Sequence, residues 1–97
     1  MNNYEQFCQI AKDFGLDVKC YICSLPELFP LDYIMKYDEM KHKIYCADHL
    51  GFGFGYICCF GYEELIPKLA IKRVAELVEQ YKQLKLQKKQ DKMKEDF

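Results

Sequence analysis

The 97-residue sequence contains no tryptophan, one arginine and two histidines, and it has no long apolar run. Its longest stretch without a charged residue or a histidine, residues 50–62, has 13 residues, whereas a membrane-spanning helix needs about 20. The first residues lack both the basic segment and the apolar segment of a secretory signal. We therefore expect a protein of the cytoplasm without a membrane partner, in which thiols stay reduced.

A recognisable set of catalytic residues is also missing. Asp48 and His49 resemble the start of the HNH nuclease motif, which needs further His or Asn residues to hold a catalytic metal. The chain offers only His42, Asn2 and Asn3 for that purpose. Because this catalytic set is absent, we expect a non-enzymatic protein. A net charge of −1 also gives no overall field that attracts nucleic acid.

The apolar residues, 51% of the chain, are sufficient for one small globular domain. Apolar side chains recur every three or four positions in two segments, which predicts an N-terminal helix over residues 3–14 and a long helix over 63–92. Alternating or short apolar runs predict strands over residues 16–23, 31–37, 43–46 and 50–60. The expected fold class is α+β: a helix, a small antiparallel sheet with a β-hairpin, and a long C-terminal helix.

The most specific motif is formed by cysteines and a histidine. Cys20 and Cys23 are separated by two residues, as are Cys46 and His49, and 22 residues lie between the two pairs. Two such pairs supply the four ligands of a tetrahedral structural Zn²⁺ ion, and the predicted hairpin between them would bring the pairs together. The pattern resembles small zinc-ribbon and treble-clef modules, and the resemblance implies a structural zinc ion that clamps the hairpin.

Reduced cysteines that pack as small hydrophobic residues are the alternative interpretation. Cys8 lies on the apolar stripe of the first helix and belongs to this class. Cys58 and Cys59 are either core residues or substitutes for one zinc ligand. Because adjacent strand residues face opposite ways, at most one of these two would point to a shared site. We predict one domain over residues 1–97, with a zinc-stabilised core over about 1–84 and a polar, basic helical tail over about 85–97.

Two segments are candidates for binding a partner. Gly51-Phe52-Gly53-Phe54 resembles part of the RNP1 motif, in which strand aromatics stack on RNA bases, but we favour burial of these rings in the core beneath the long helix. The terminal helix is the basic part of the chain, since residues 67–97 carry a net charge of +4 and residues 1–66 a net charge of −5. The candidate partner-binding residues are Phe52, Phe54, Tyr81, Lys82, Lys85, Lys88, Lys89 and Lys92.

By elimination, we expect a small zinc-stabilised adaptor or inhibitor that binds another macromolecule, with a protein as the expected partner. A nucleic-acid-binding protein that uses the lysines of the terminal helix is the second hypothesis. A zinc or thiol enzyme is the third. The apolar seam of the terminal helix could also form a homodimer.

Overall fold

The computed structural model describes the backbone of residues 2–95 and the side chains of residues 2–88. The elements follow in the order α1 (Asn3–Asp13), β1 (Asp17–Lys19), β2 (Ile22–Ser24), β3 (Met35–Asp38), β4 (Lys43–Gly53), β5 (Tyr56–Leu65) and α2 (Pro67–Glu95). The five strands form one antiparallel sheet in which neighbours in sequence are neighbours in space. The predicted α+β class, with one helix before the strands in the chain and one after them, is therefore confirmed.

Helix α1 begins and ends where its local chemistry requires. The Asn2 side chain accepts a hydrogen bond from the backbone N–H of Glu5 at 2.8 Å and so caps the first turn. Gly15 follows the helix with a φ of +67°, a left-handed conformation that suits glycine at a helix end. Phe7, Ile10 and Ala11 form the buried face. These three residues attach α1 to the sheet and to α2.

The β4–β5 hairpin is the main feature of the sheet. Its register runs from the pair Ile44–Leu65 to the pair Gly53–Tyr56, and a two-residue turn joins the strands. The sequence predicts one strand over residues 50–60, and here the prediction is wrong because Phe54 and Gly55 reverse the chain. Both have positive φ, 53° and 79°, as a tight type I′ hairpin turn requires.

The long connection between β2 and β3 lies along the free edge of β5. The Phe29 N–H donates to the carbonyl of Ile57 at 2.8 Å, and the Ile57 N–H donates to the carbonyl of Glu27 at 3.2 Å. A carboxylate oxygen of Asp32 accepts from the Cys59 N–H at 2.8 Å. This segment covers the part of the edge nearest the hairpin turn, so those backbone groups are not left open to another strand.

Helix α2 covers β4 with the seam that the sequence predicts. Ala70, Val74 and Leu77 are fully buried, and the Tyr81 hydroxyl donates to the carbonyl of Pro26 at 2.8 Å. The Gln80 side chain accepts from the Leu50 N–H at 2.8 Å, which satisfies a strand group that β5 does not bond. The seam is used inside the chain, so a homodimer through α2 would need another face of the helix.

Candidate binding surface

The four predicted zinc ligands lie in different environments. Cys20 is exposed in the turn between β1 and β2, whereas Cys23 and Cys46 are fully buried on the two strands that flank β3. His49 is exposed three residues after Cys46 on the same strand. Within residues 2–88, no group of three or more His, Cys, Asp or Glu side chains is arranged to hold a metal ion. The residues as placed do not fit a four-ligand site, and zinc remains a prediction from the sequence.

The buried thiols are held in their neutral form. Burial is the main cause that raises the pKa of Cys23, Cys46 and Cys59 to about 12 in each case. Cys8 lies close enough to Cys23 to raise that pKa further. Cys58 lies near the hairpin turn, where its sulfur is 3.4 Å from the carbonyl of Gly53. In this arrangement the thiols act as small apolar residues of the core.

The single arginine of the chain anchors α2 to the sheet. Arg73 has a side chain that is only 19% exposed, and it donates to the carbonyl of Ala47 at 3.2 Å and to the Glu63 carboxylate at 3.0 Å. Asp48 lies 3.8 Å from the same guanidinium group. The hydrogen bond with His49, at 2.9 Å, is the largest cause that lowers the pKa of Asp48. Sequence reasoning missed this anchor because its partners come from distant segments.

Aromatic side chains cluster at the turn of the β4–β5 hairpin. Phe54 is 90% exposed and Phe52 is 44% exposed. The ring of Phe29, from the β2–β3 connection, lies 6.2 Å from that of Phe54 and 5.6 Å from that of Tyr56. We call Phe29, Phe52, Phe54 and Tyr56 the aromatic tip. The two phenylalanines singled out in the sequence therefore lie at the surface, and the expectation that they are buried in the core is wrong.

The lysines of α2 lie beside the aromatic tip. The Lys88 ammonium donates to the carbonyl of Gly55 at 3.2 Å, which brings the helix to the hairpin turn. Lys85, one turn earlier on the same face, has its ammonium 5.3 Å from the ring centroid of Tyr81. Tyr81 itself is 8% exposed and belongs to the core. The structure thus joins two of the sequence candidates, the Gly-Phe segment and the lysine face.

Three other predicted residues complete the account of this surface. Lys82 is exposed on α2. Lys89 and Lys92 continue the same helix, but their side chains lie outside the described residues. The described part of the surface therefore consists of the aromatic tip with Lys85 and Lys88, and we call it the cationic aromatic surface.

A concave site lies at the other end of β4 from the aromatic tip. Tyr4 of α1, Tyr21 of the β1–β2 turn and Tyr37 of β3 have ring centroids 5.3–6.0 Å apart. Together with Asn2, Asn3, Glu39 and His42 they line a cleft of about 590 Å³. We call it the tyrosine cleft. No local pattern could have predicted it, because its three rings come from three different elements.

Comparison with protein-family models, with curated proteins and with solved structures finds no match to this chain. Within the described residues, no helix combines the length and the apolar character that crossing a bilayer requires.

Proposed function

We propose that this protein is a small non-enzymatic binding module, of the adaptor or inhibitor type, that holds a protein partner with its cationic aromatic surface. The observation that carries the proposal is Phe54, which is 90% exposed at the end of a hairpin. Large aromatic side chains that insert into a pocket of the partner supply much of the affinity of protein interfaces.

Phe54 is unfavourable in the free protein for two reasons. Its φ of 53° is a left-handed conformation, and this conformation costs residues other than glycine about 1–2 kcal/mol. Its ring also remains in water, so it gains almost none of the free energy that burial of a phenylalanine supplies. Asn-Gly is the preferred sequence for this turn. A strained and exposed aromatic residue at such a site is accounted for by a contact made in a complex.

The charges beside the aromatic tip indicate an acidic rim on the partner. Lys85 and Lys88 are exposed next to the tip, and α2 belongs to the segment with a net charge of +4. Opposite charges at the rim of an interface increase the association rate and select the partner. We expect an apolar pocket for Phe54 bordered by carboxylates.

Nucleic acid is the second candidate, because exposed rings beside lysines also stack on single-stranded bases. The protein as a whole favours the first candidate, since its net charge is −1 and its isoelectric point is about 6.1. Strongly basic domains are the usual nucleic-acid binders.

Site-specific crosslinking in cells that carry the gene tests the proposal. A photoreactive phenylalanine analogue at position 54 should crosslink to one protein, whereas the same analogue at position 71 should not. Ile71 is the control because it is also exposed, at 48%, but lies in the first turns of α2, outside both the aromatic tip and the tyrosine cleft. Phe54→Asn and Lys85→Glu/Lys88→Glu should each weaken binding of the identified partner at least tenfold. Equal crosslinking at both positions, or binding that neither variant weakens, would overturn the proposal.

A second measurement separates the two partner classes. The purified protein is titrated with a random single-stranded oligonucleotide at about 50 mM salt, where phosphate contacts are strong. We expect no binding. Binding that Lys85→Glu/Lys88→Glu abolishes would replace the protein partner with nucleic acid.

Structural zinc is a separate proposal that the spacing of Cys20, Cys23, Cys46 and His49 alone supports. Packing of the buried thiols as apolar core residues is the competing proposal. The cationic aromatic surface does not depend on zinc.

A further inference from the structure

We infer that the tyrosine cleft is a second binding site, and that its ligand is the guanidinium group of an arginine side chain on another polypeptide. The cleft lies at the Lys43 end of β4, and the aromatic tip follows Gly53 at the other end of that strand. The inference is independent of the proposed function of the tip.

The shape of the cleft suits a planar cation. The ring planes of Tyr4 and Tyr37 are tilted by 57° with centroids 5.3 Å apart, and Tyr21 meets Tyr4 edge to face at 5.7 Å. These rings form a continuous aromatic wall on one side of an open space of about 590 Å³. The faces of aromatic rings carry negative potential, so they attract cations, and guanidinium groups more often than ammonium groups.

The charge of the cleft has the matching sign. Of the seven described residues that line it, Glu39 is the one carboxylate, and none is a lysine or an arginine. Glu39 lines the cleft together with Tyr21, and it lies close enough to the Tyr21 hydroxyl to be the largest cause that raises the pKa of Tyr21. The carboxylate therefore lies at the edge of the aromatic wall. A guanidinium group stacked on that wall can donate to it with its planar fork of N–H groups.

Hydrogen bonds between elements hold the walls of the cleft in place. The Asn3 side chain donates to the carbonyl of His42 at 2.8 Å and so ties the start of α1 to the β3–β4 turn. The Tyr37 hydroxyl lies 3.1 Å from Nδ1 of His42. A preformed site loses little conformational entropy when a ligand binds.

The guanidinium group must come from another molecule. Arg73 is the only arginine in this chain, and it is committed to the anchor between α2 and the sheet. A polypeptide is the expected source because the cleft is much larger than one guanidinium group and has room for the chain on either side of an arginine.

Titration with a blocked tripeptide, acetyl-Gly-Arg-Gly-amide, followed by NMR tests the inference. We expect a dissociation constant on the order of 1 mM, with chemical shift changes concentrated on the rings of Tyr4, Tyr21 and Tyr37. The citrulline tripeptide has nearly the same shape without the charge and should bind at least tenfold more weakly. The lysine tripeptide should also bind more weakly, because an ammonium group lacks the planar face.

Glu39→Gln should reduce the affinity for the arginine tripeptide at least tenfold, and Glu79→Gln is the control, since Glu79 is exposed on α2 away from the cleft. Glu39 lies in an exposed turn, so the variant keeps the fold, and its amide spectrum verifies this. Equal binding of the citrulline tripeptide, an unchanged affinity for Glu39→Gln, or no shift of the three rings at 50-fold excess over the expected constant would each overturn the inference. Tighter binding of free arginine than of the tripeptide would overturn the polypeptide source.

Discussion

Cys20 and Cys23 are two residues apart in the sequence but lie in opposite environments. Cys20 is exposed in a tight turn, and Cys23 points into the core from the strand that follows. Spacing alone could not reveal this difference, because it does not show that the β1–β2 turn lies at Cys20 and Tyr21 and so leaves only Cys23 on a strand. A zinc site and a packed core therefore predict different changes in stability for a substitution of the exposed Cys20.

We predict that Cys46→Ser destabilises the protein by about 1–3 kcal/mol, because it places a hydroxyl without a partner in the core. Cys20→Ser should change the free energy of unfolding by less than about 0.5 kcal/mol, as exposed substitutions do. Urea denaturation with and without a chelator measures both. A zinc site that uses both thiols would instead make the two losses similar, and the chelator would then lower the stability of the unmodified protein.

Arg73 stabilises the contact between α2 and the sheet through two hydrogen bonds, to the backbone of Ala47 and to Glu63. We expect Arg73→Met, which keeps the apolar stem, to lose about 1–3 kcal/mol of stability, since the bonds of a charged donor are lost. Lys72→Met is the control because Lys72 is exposed on the same helix. If the urea midpoints of the two variants agree, the anchor contributes nothing beyond its packing.

The β4–β5 turn connects backbone strain with the proposed binding. Phe54→Asn should raise the stability by about 1 kcal/mol, because asparagine tolerates a positive φ and Asn-Gly is the preferred pair. The same variant should lose partner binding. Gly55→Ala is the opposing control, since Gly55 has a φ of +79° and no nearby atom would obstruct a Cβ. Its stability should fall through backbone strain alone. A stability that does not rise in Phe54→Asn would remove the strain argument for Phe54.

The two helices could be predicted at the level of elements, but two turns could not. The strand predicted over residues 16–23 is divided into β1 and β2 by a turn, and the strand predicted over residues 50–60 is divided in the same way by the β4–β5 turn. The apolar repeat over residues 3–14 predicts α1 within one residue of its observed end at Asp13. The long helix begins at Pro67, which fits only the first turn of a helix; the predicted start at Glu63 is wrong because residues 63–65 belong to β5. The β4–β5 turn was missed because Phe-Gly lacks the Asn or Asp that usually marks such a turn. The departure from the usual turn sequence lies in the residue that carries the proposed function.

At the scale of the whole molecule, the sites depend on contacts between distant segments. The tyrosine cleft needs α1, β3 and the β1–β2 turn, and the cationic aromatic surface needs the β4–β5 turn beside the end of α2. The sequence did single out both parts of the cationic aromatic surface, because phenylalanines between glycines and a run of lysines are visible locally. Their proximity follows from the antiparallel order of the sheet and from the length of α2, which reaches the hairpin turn.

The buried thiols predict how the whole protein responds to alkaline pH. Burial raises the pKa of Cys23, Cys46 and Cys59 to about 12, from an ordinary value of 9.0. The folded state therefore retains three protons that the unfolded chain releases above pH 9. Their stabilising contribution is complete below that pH and is lost as the pH rises toward 12, at about 1.4 kcal/mol per pH unit for each thiol.

We expect the urea midpoint to be constant near pH 8 and to fall steeply above pH 9, with a shallower fall for Cys59→Ala because one titrating thiol is absent. Thiolate absorbance of the folded protein measures the same groups directly. It should show that the three buried thiols stay protonated at pH 10. Zinc-bound sulfurs would already be thiolates at pH 7, since a ligand must lose its proton to bind the metal. Three thiolates in the folded protein at neutral pH would therefore contradict the packed-thiol core and support the metal in its place.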